Sequence, residues 1–286
     1  MKISEILNQD KLSLSFEVFP PKTSETYANV KDSALGVAKL NPDFMSVTYG
    51  AGGSTSTYTL DIAQSILKEG VTPIAHLTCV SSSRETIRER LGEIREKGIE
   101  NILALRGDLP NGTTPESLDF TYACDLVEEI RNFGGFCIGG ACYPEGHTES
   151  SSLSADIVNL KKKVDAGCEF LTTQMFFDNN ILYNFLYKIR ESGITVPVIP
   201  GIMPVTNPAQ IKRICALSGT ILPRRFIQIV DRFGSNPEAM KQAGIAYATE
   251  QIVDLYANGI KAVHVYSMNK PEVAEKIQSN LKGIIG

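Results

Sequence analysis

The chain has little of what several protein classes require. Its six cysteines, Cys79, Cys124, Cys137, Cys142, Cys168 and Cys215, include no C-x-x-C pair. Most lie in apolar surroundings, as in Gly-Gly-Phe-Cys137-Ile-Gly-Gly, so reduced, buried thiols are expected rather than a disulfide framework or a structural zinc site. Only three histidines occur, His76, His147 and His264. None shows H-E-x-x-H or comparable spacing, so no catalytic metal is expected. With 28 basic and 32 acidic residues the net charge is −4, which leaves no general field for nucleic acid or an anionic membrane. A bound anion must be held by local cations. No apolar run approaches the ~20 residues that span a bilayer, and Met1–Phe19 lacks the basic segment and apolar stretch of a signal peptide. A cytoplasmic location is the expectation. No low-complexity stretch or Pro/Ser-rich linker divides the 286 residues, so one domain over 1–286 is expected.

What is present is a rhythm. Strand-like runs at Leu12–Val18, Phe44–Thr48, Thr72–Leu77, Asn101–Leu105, Phe136–Ala141, Phe170–Thr173, Val196–Pro200 and Ala262–Val265 alternate with helical patterns. Ser83 stands where an N-cap oxygen would meet an exposed N–H. Gly98, Gly167, Gly193 and Gly259 follow helical patterns, where a positive φ closes the last turn. The first run is followed by Phe19-Pro20-Pro21-Lys22, which cannot make the G-x-G-x-x-G turn of a doubly wound sheet. Eight βα units predict a single-domain (β/α)8 TIM barrel with an extra helix between strands 7 and 8.

The runs end in residues that strand chemistry does not require: Glu17, Thr48, His76, Arg106 with Asp108, Tyr143, Gln174, Pro200-Gly201 and His264. Such a set is how this fold builds a catalytic cup from its βα loops. In the first run Ser13, Ser15 and Glu17 share one parity and Leu12, Leu14, Phe16 and Val18 the other, so Glu17 points into the cup. A partly buried carboxyl there is expected to have a raised pKa and to serve as a general acid. The competing reading is a Glu paired with a cation. Arg106 and Asp108 leave their strand together, as a site or as a structural pair. Gly107 between them permits close approach of a ligand. Thr48–Thr55 is a Gly/Ser loop able to present backbone N–H groups. Asp156, Asn159 and Lys163 fall on one helix face, suited to ribose and phosphate, although spacing alone reads more plainly as a solvated face.

Taken in order, Ser15–Lys22 (Ser-Phe-Glu-Val-Phe-Pro-Pro-Lys), Ser46–Ala51, Ala75–Cys79, Ala104–Pro110, Tyr143-Pro-Glu145, Asn159–Gly167, Thr173–Asp178 and Ile199–Pro204 closely resemble 5,10-methylenetetrahydrofolate reductase over nearly the whole chain. The resemblance implies a barrel flavoprotein that passes hydride from NADH or NADPH through FAD to methylenetetrahydrofolate, by ping-pong kinetics. It implies that Thr48, His76, Arg106, Gly107, Asp108, Ala123, Tyr143, His147, Asp156, Asn159, Lys162 and Lys163 hold the FAD. It places Asp108 near the flavin N1 edge and Glu17, Gln174 and Gln210 on the folate. Glu17 and Asp108 are then the catalytic pair. Lys162 stands where bacterial relatives often have Arg. Lys270, a folate contact on this reading, stands where many have Leu-Asn-Arg, and Lys lacks the bidentate fork. The long regulatory region of eukaryotic relatives is missing, so adenosylmethionine feedback through it is not expected. A homo-oligomer is expected. The alternative reading is a flavin electron-transfer subunit whose folate chemistry needs a partner protein.

Overall fold

The alternating parity of the strand-like runs becomes a ring of parallel strands with apolar residues on both faces. The structure, a computed structural model, describes residues 1–49, 56–80, 82–108 and 119–286; the side chains of Ser56 and Gln210 are also outside the described set. In chain order, α1 (Ile3–Leu7) precedes β1 (Ser13–Val18), and a 3-10 turn at Ser24–Thr26 enters α2 (Tyr27–Ala38). Then follow β2 (Phe44–Val47), α3 (Ser56–Lys68), β3 (Thr72–Thr78), α4 (Arg84–Glu96), β4 (Asn101–Leu105), α5 (Ala123–Phe133), β5 (Cys137–Cys142) and α6 (Leu153–Ala166). The chain continues through β6 (Phe170–Thr173), α7 (Asn179–Glu191), β7 (Val198–Ile199), β8 (Gly201–Ile202), α8 (Pro208–Ser218), α9 (Arg224–Phe233), α10 (Pro237–Ala257), β9 (Ala262–Tyr266) and α11 (Pro271–Ile285). The strands lie in the order β7-β6-β5-β4-β3-β2-β1-β9-β8, which is a (β/α)8 barrel in one domain.

The expected seventh strand, Val196–Pro200, is instead two short pieces. Proline has no N–H to donate, so the ladder changes sides at Pro200. Val198–Ile199 pairs with β6, Gly201–Ile202 pairs with β9, and Pro200 O accepts from His264 N at 2.8 Å. The chain from β8 to β9 carries α8, α9 and α10, so the insertion adds α8 and α9 to the usual crossover helix. The helix ends follow their sequence signals. Ser83 Oγ accepts from Thr86 N at 3.1 Å, and Gly98, Gly167, Gly193 and Gly259 have φ of 72°, 137°, 75° and 84°.

The outward parity of the strands (Leu14, Phe16, Val18, Val47, Leu77) packs under the helices. The inward parity near the strand starts (Phe44, Ile74, Leu103, Cys137, Phe170, Ile199) forms a second apolar layer with Ile3 and Ile6 of α1. Full burial of each large side chain is worth about 1.5–3 kcal/mol. Helix α1 therefore plugs the lower mouth. It is fastened by Ile3 N donating to Asn101 Oδ1 (2.8 Å), Asn101 Nδ2 donating to Met1 O (3.1 Å) and Ser4 Oγ donating to Glu169 Oε2 (2.9 Å). A five-residue helix is too short to show a periodicity, so the sequence does not announce it. With the lower end sealed, polar inward residues collect at the strand C-terminal ends.

All six cysteines are free; burial pushes the Cys79 and Cys168 thiols up to about 12, which keeps them protonated. Among the described residues no helix is long and apolar enough to cross a membrane, and no group of three or more His, Cys, Asp or Glu could hold a metal ion.

Candidate active site

Above the apolar layer the inward side chains turn polar. From β1 come Ser15 and Glu17, from β2 Ser46, from β3 His76 and from β9 His264. Ser15, Ser46, His76 and His264 are buried, whereas the Glu17 side chain is 20% exposed and opens to the cup. His264 is held at both ring nitrogens, with Nδ1 2.8 Å from Ser15 Oγ and Nε2 2.8 Å from Ser46 Oγ. Ser15 Oγ also donates to Val263 O at 2.9 Å, and Ser46 Oγ donates to Glu17 Oε2 at 3.2 Å. Glu17 Oε2 lies 3.8 Å from His264 Nε2 and 3.6 Å from His76 Nε2. His76 Nε2 is buried without a hydrogen-bond partner.

This environment corrects the expected ionisation of Glu17. Burial does push its carboxyl up, and that is the largest single influence. The hydrogen bonding and charge of His264, the charge of His76 and the Ser46 hydroxyl together outweigh it, and the net shift is downward. Burial drives His76 down to about 4, so near neutral pH His76 is uncharged. Burial is legible from one strand; a histidine and a serine arriving from two other strands are not.

A cavity of about 540 Å³ lies at the same end of the barrel, between the ends of β4 and β5 and the helices α5 and α6. It brings together Arg106, Ala123, Tyr143, His147, Asp156, Asn159, Lys162 and Lys163 of the expected FAD set, along with Tyr122, Glu149 and Ser150. The shared face of Asp156, Asn159 and Lys163 lines this cavity, with Asn159 exposed. Lys163 Nζ reaches back to Ala141 O at 2.7 Å, and Lys162 Nζ lies 3.4 Å from Asn159 Oδ1. Asp156 accepts from His147 N at 3.2 Å and from Ser150 Oγ at 3.1 Å, which folds the loop after β5 over the cavity. Arg106 is not paired with Asp108. Its fork donates to both oxygens of Glu149 at 2.7 Å, and Asp108 is exposed. Burial pushes the Tyr143 hydroxyl up to about 12, so it stays a neutral donor.

The other expected residues fall around the rim. Thr48 N donates to Val18 O at 3.0 Å, and Thr48 O accepts from Thr59 Oγ1 at 2.9 Å. Gln174 is half-buried, with Oε1 accepting from Met175 N at 3.0 Å. Lys270 Nζ donates to Thr206 Oγ1 at 2.7 Å, tying the loop after β9 to the loop after β8. Gln210 lies in α8 with its side chain outside the described residues, as does the loop stretch 50–55. Gly107 has φ 88°, and a Cβ there would meet Val80 Cγ1 at 2.7 Å; packing inside the protein already requires glycine, with no ligand needed to explain it.

Pro200-Gly201, the strand end with no reactive group, also finds its reason. A Cβ at Gly201 would strike the Tyr266 hydroxyl and Thr173 O. Tyr266 crosses the barrel mouth to donate to Thr173 O at 2.5 Å, and it packs edge-on against His264 with centroids 5.7 Å apart. Sequence reasoning left out Tyr266, Glu149, Ser46 and the role of His264. Parity offers a signal for Ser46, a polar residue on the inward face of an apolar strand. No local signal marks Glu149.

A parallel barrel with an acid–histidine cluster and a basic, nucleotide-sized cavity at its strand ends defines an enzyme of the (β/α)8-barrel class. The methylenetetrahydrofolate reductase profile matches residues 2–282. The chain is 37% identical over 271 residues to the 5,10-methylenetetrahydrofolate reductase of Pectobacterium carotovorum subsp. carotovorum, covering 94% of this chain and 90% of that protein. It is 36% identical over 270 residues to that of Escherichia coli (strain K12), with 94% and 90% coverage. Methylenetetrahydrofolate reductase (NADH) 1 of Arabidopsis thaliana is 37% identical over 297 residues, and the chain spans 50% of its length. A Clostridium thermocellum protein described as binding two copies of 5-methyl-5,6,7,8-tetrahydrofolic acid superposes with a TM-score of 0.71 at 15% identity, covering 99% of this chain and all of that one; at that identity it attests the fold. The chain belongs to the methylenetetrahydrofolate reductase family, a family of oxidoreductases.

Proposed function

We propose that the chain reduces 5,10-methylenetetrahydrofolate to 5-methyltetrahydrofolate with NADH or NADPH as donor, that residues 1–286 form an FAD-binding catalytic domain, and that it works as a homo-oligomer in the cytoplasm. The observation that carries this reading is the cavity between α5 and α6, which gathers Arg106, Tyr143, Asp156, Asn159 and Lys163 at the same strand-end face of the barrel as the Glu17 cluster. The donor set fits FAD. Arg106 and Lys163 supply charge for a pyrophosphate, Asp156 and Asn159 supply acceptors for ribose hydroxyls, and the unpartnered His76 Nε2 offers a polar atom to a ligand over the cup. Thr48, Gly107, Asp108, Ala123, His147 and Lys162 complete the proposed cofactor set. When bound, the flavin supplies the two-electron step that links nicotinamide oxidation to folate reduction, in ping-pong order.

The chain's own residues do the rest. Glu149 occupies the Arg106 fork with an exposed carboxylate, so a phosphate can take its place without breaking a buried pair. Asp108, an acid in the loop after β4, would disfavour extra negative charge on a flavin held here. Gln174 and Lys270, at the rim, would orient the pterin, with Gln210 as the third proposed folate contact. Glu17 stands at the end of β1 as the acid that protonates the leaving nitrogen when the five-membered ring of methylenetetrahydrofolate opens.

The test is spectral. The purified protein should be yellow, release FAD and not FMN on denaturation, bleach anaerobically with NADH or NADPH, and recover its colour with methylenetetrahydrofolate. A colourless protein that FAD cannot reconstitute refutes the reading. Bleaching without reoxidation by the folate selects the alternative, an electron-transfer subunit that depends on a partner.

A further inference from the structure

Glu17 poses a problem for the proposed function. Its carboxyl is held below the usual value, yet ring opening requires it to deliver a proton. The hydrogen bonds around His264 define where that proton can be held. A hydroxyl has one proton to donate. Val263 O can only accept, so the Ser15 proton points there. The contact between Ser15 Oγ and His264 Nδ1 is therefore made by Nδ1–H. Ser46 Oγ lies between His264 Nε2 and Glu17 Oε2. Two arrangements satisfy both of its contacts. In one, Nε2–H donates to Ser46 and Ser46 donates to an ionised Glu17, so His264 is an imidazolium. In the other, Glu17–OH donates to Ser46, Ser46 donates to a bare Nε2, and both groups are neutral. The two hold the same number of protons.

We propose that His264 stores the catalytic proton and that the Ser46 hydroxyl relays it to Glu17. This deepens the proposed function and rests on Glu17 being the acid of the folate half-reaction. The step balances within the three residues. The His264 Nε2–H bond breaks as its proton joins Ser46 Oγ. The proton already on Ser46 Oγ moves to Glu17 Oε2. The imidazolium becomes a neutral imidazole protonated at Nδ1, and the carboxylate becomes a carboxylic acid. Glu17 then gives its proton to the folate nitrogen. When product leaves, a solvent proton reaches Glu17 at the open cup and returns inward by the reverse shift.

The surroundings favour a shared proton. Ser15, Ser46 and His264 are 0%, 2% and 2% exposed, so water does not compete along the path. The direct distance of 3.8 Å from Nε2 to Oε2 is too long for a hydrogen bond, which makes the serine the necessary link. Four other groups lie near the pair. His76 approaches Glu17 from β3 and is uncharged at neutral pH. Tyr266 packs against His264 from the same strand, with its own proton committed to Thr173 O. Tyr143 and Cys142 stand behind Tyr266, both protonated. None of them is placed to replace His264 as the store. Covering the cup with folate removes water from Glu17, which favours the neutral arrangement over the ion pair and sends the proton outward when substrate is present.

The experiment uses the FAD-loaded protein. In histidine-labelled protein, ¹⁵N NMR should find both nitrogens of His264 protonated at neutral pH, assigned by comparison with His264→Gln. Stopped-flow reoxidation by methylenetetrahydrofolate is then followed against pH. Ser46→Ala should slow this half-reaction by about 10²-fold, the lower end of general acid catalysis. It should also move the alkaline limb to lower pH, because Glu17 must then take its proton from solvent. Ser46→Thr, which keeps the hydroxyl, should restore both. A neutral His264 in the unsubstituted protein overturns the relay, and that result needs no variant to fold. An unmoved alkaline limb in Ser46→Ala overturns it as well. Glu17→Gln, run in parallel, separates the two ideas. If it leaves the folate half-reaction intact, Glu17 is not the acid and the proposed role of Glu17 fails. If it abolishes that half-reaction while Ser46→Ala behaves as wild type, only the relay fails.

Discussion

Replacing Glu17 by Gln keeps the size of the side chain and removes its charge and its transferable proton. The structure sets the scale of both losses. At 3.8 Å from His264 Nε2, and with an effective dielectric of ~20, the lost attraction is about 4 kcal/mol. The acid function is lost separately. General acid catalysis contributes ~10²–10⁴-fold, or about 2.7–5.4 kcal/mol of barrier. Stopped flow resolves the consequence. Reoxidation by methylenetetrahydrofolate should fall by at least the lower of these factors. Flavin reduction by NADH needs no proton on a folate nitrogen and should stay within roughly tenfold, under ~1.4 kcal/mol. The sign with pH follows from the shared proton. Because the Glu17–His264 pair must hold that proton to act, the wild-type folate half-reaction should slow as pH rises and the pair loses it. Equal loss in both half-reactions would make Glu17 a structural or cofactor-positioning residue and would refute the mechanism.

Three further outcomes are expected. Asp108→Asn should raise the flavin midpoint potential, since removing a nearby negative charge stabilises added electrons, and should slow folate reduction more than nicotinamide oxidation; spectroelectrochemistry showing an unchanged potential would place Asp108 away from the flavin. Glu129 is buried between Arg84 Nη1 (2.7 Å) and Arg88 Nε (2.6 Å); burial pushes its carboxyl up, but the two arginines outweigh this and the net shift is down. A depressed folded pKa stabilises above the unfolded carboxylate value of ~4.3. The arginines are half-exposed or more, so Glu129→Gln should destabilise by about 1–2 kcal/mol at neutral pH, with the difference vanishing as pH falls through the folded pKa; a constant difference across a urea-melt pH series would contradict the ion-pair account. Gly201→Ala should cost about 1–3 kcal/mol by overpacking, because the new methyl strikes the Tyr266 hydroxyl and the Thr173 carbonyl; an unchanged melting temperature would mean that Tyr266 does not cross the barrel mouth.

By itself the sequence determines the barrel and places its candidate residues at the strand ends. The eightfold βα rhythm, the glycine stops after helices and the period of two within each strand are local patterns, and local patterns survive being read one segment at a time. Parity alone put Ser15 and Glu17 on the inward face, and the spacing of Asp156, Asn159 and Lys163 put them on one helix face that the fold turns into a cavity wall. Tertiary structure decided what those residues meet. The plug α1 is too short to show a period, and its burial depends on a hole made by strands far along the chain. The break at Pro200 follows from a ladder that must pair on two sides at once. Arg106 pairs with Glu149, a residue on another βα loop, instead of its neighbour Asp108. The protonation of Glu17 went against the sequence argument for the same reason. Desolvation can be guessed from one strand, but the opposing charge and hydrogen bonds come from His264 and Ser46, which only closure of the ring brings within reach of β1. Electrostatic interactions act through space, and no local pattern in a chain encodes distances across a barrel.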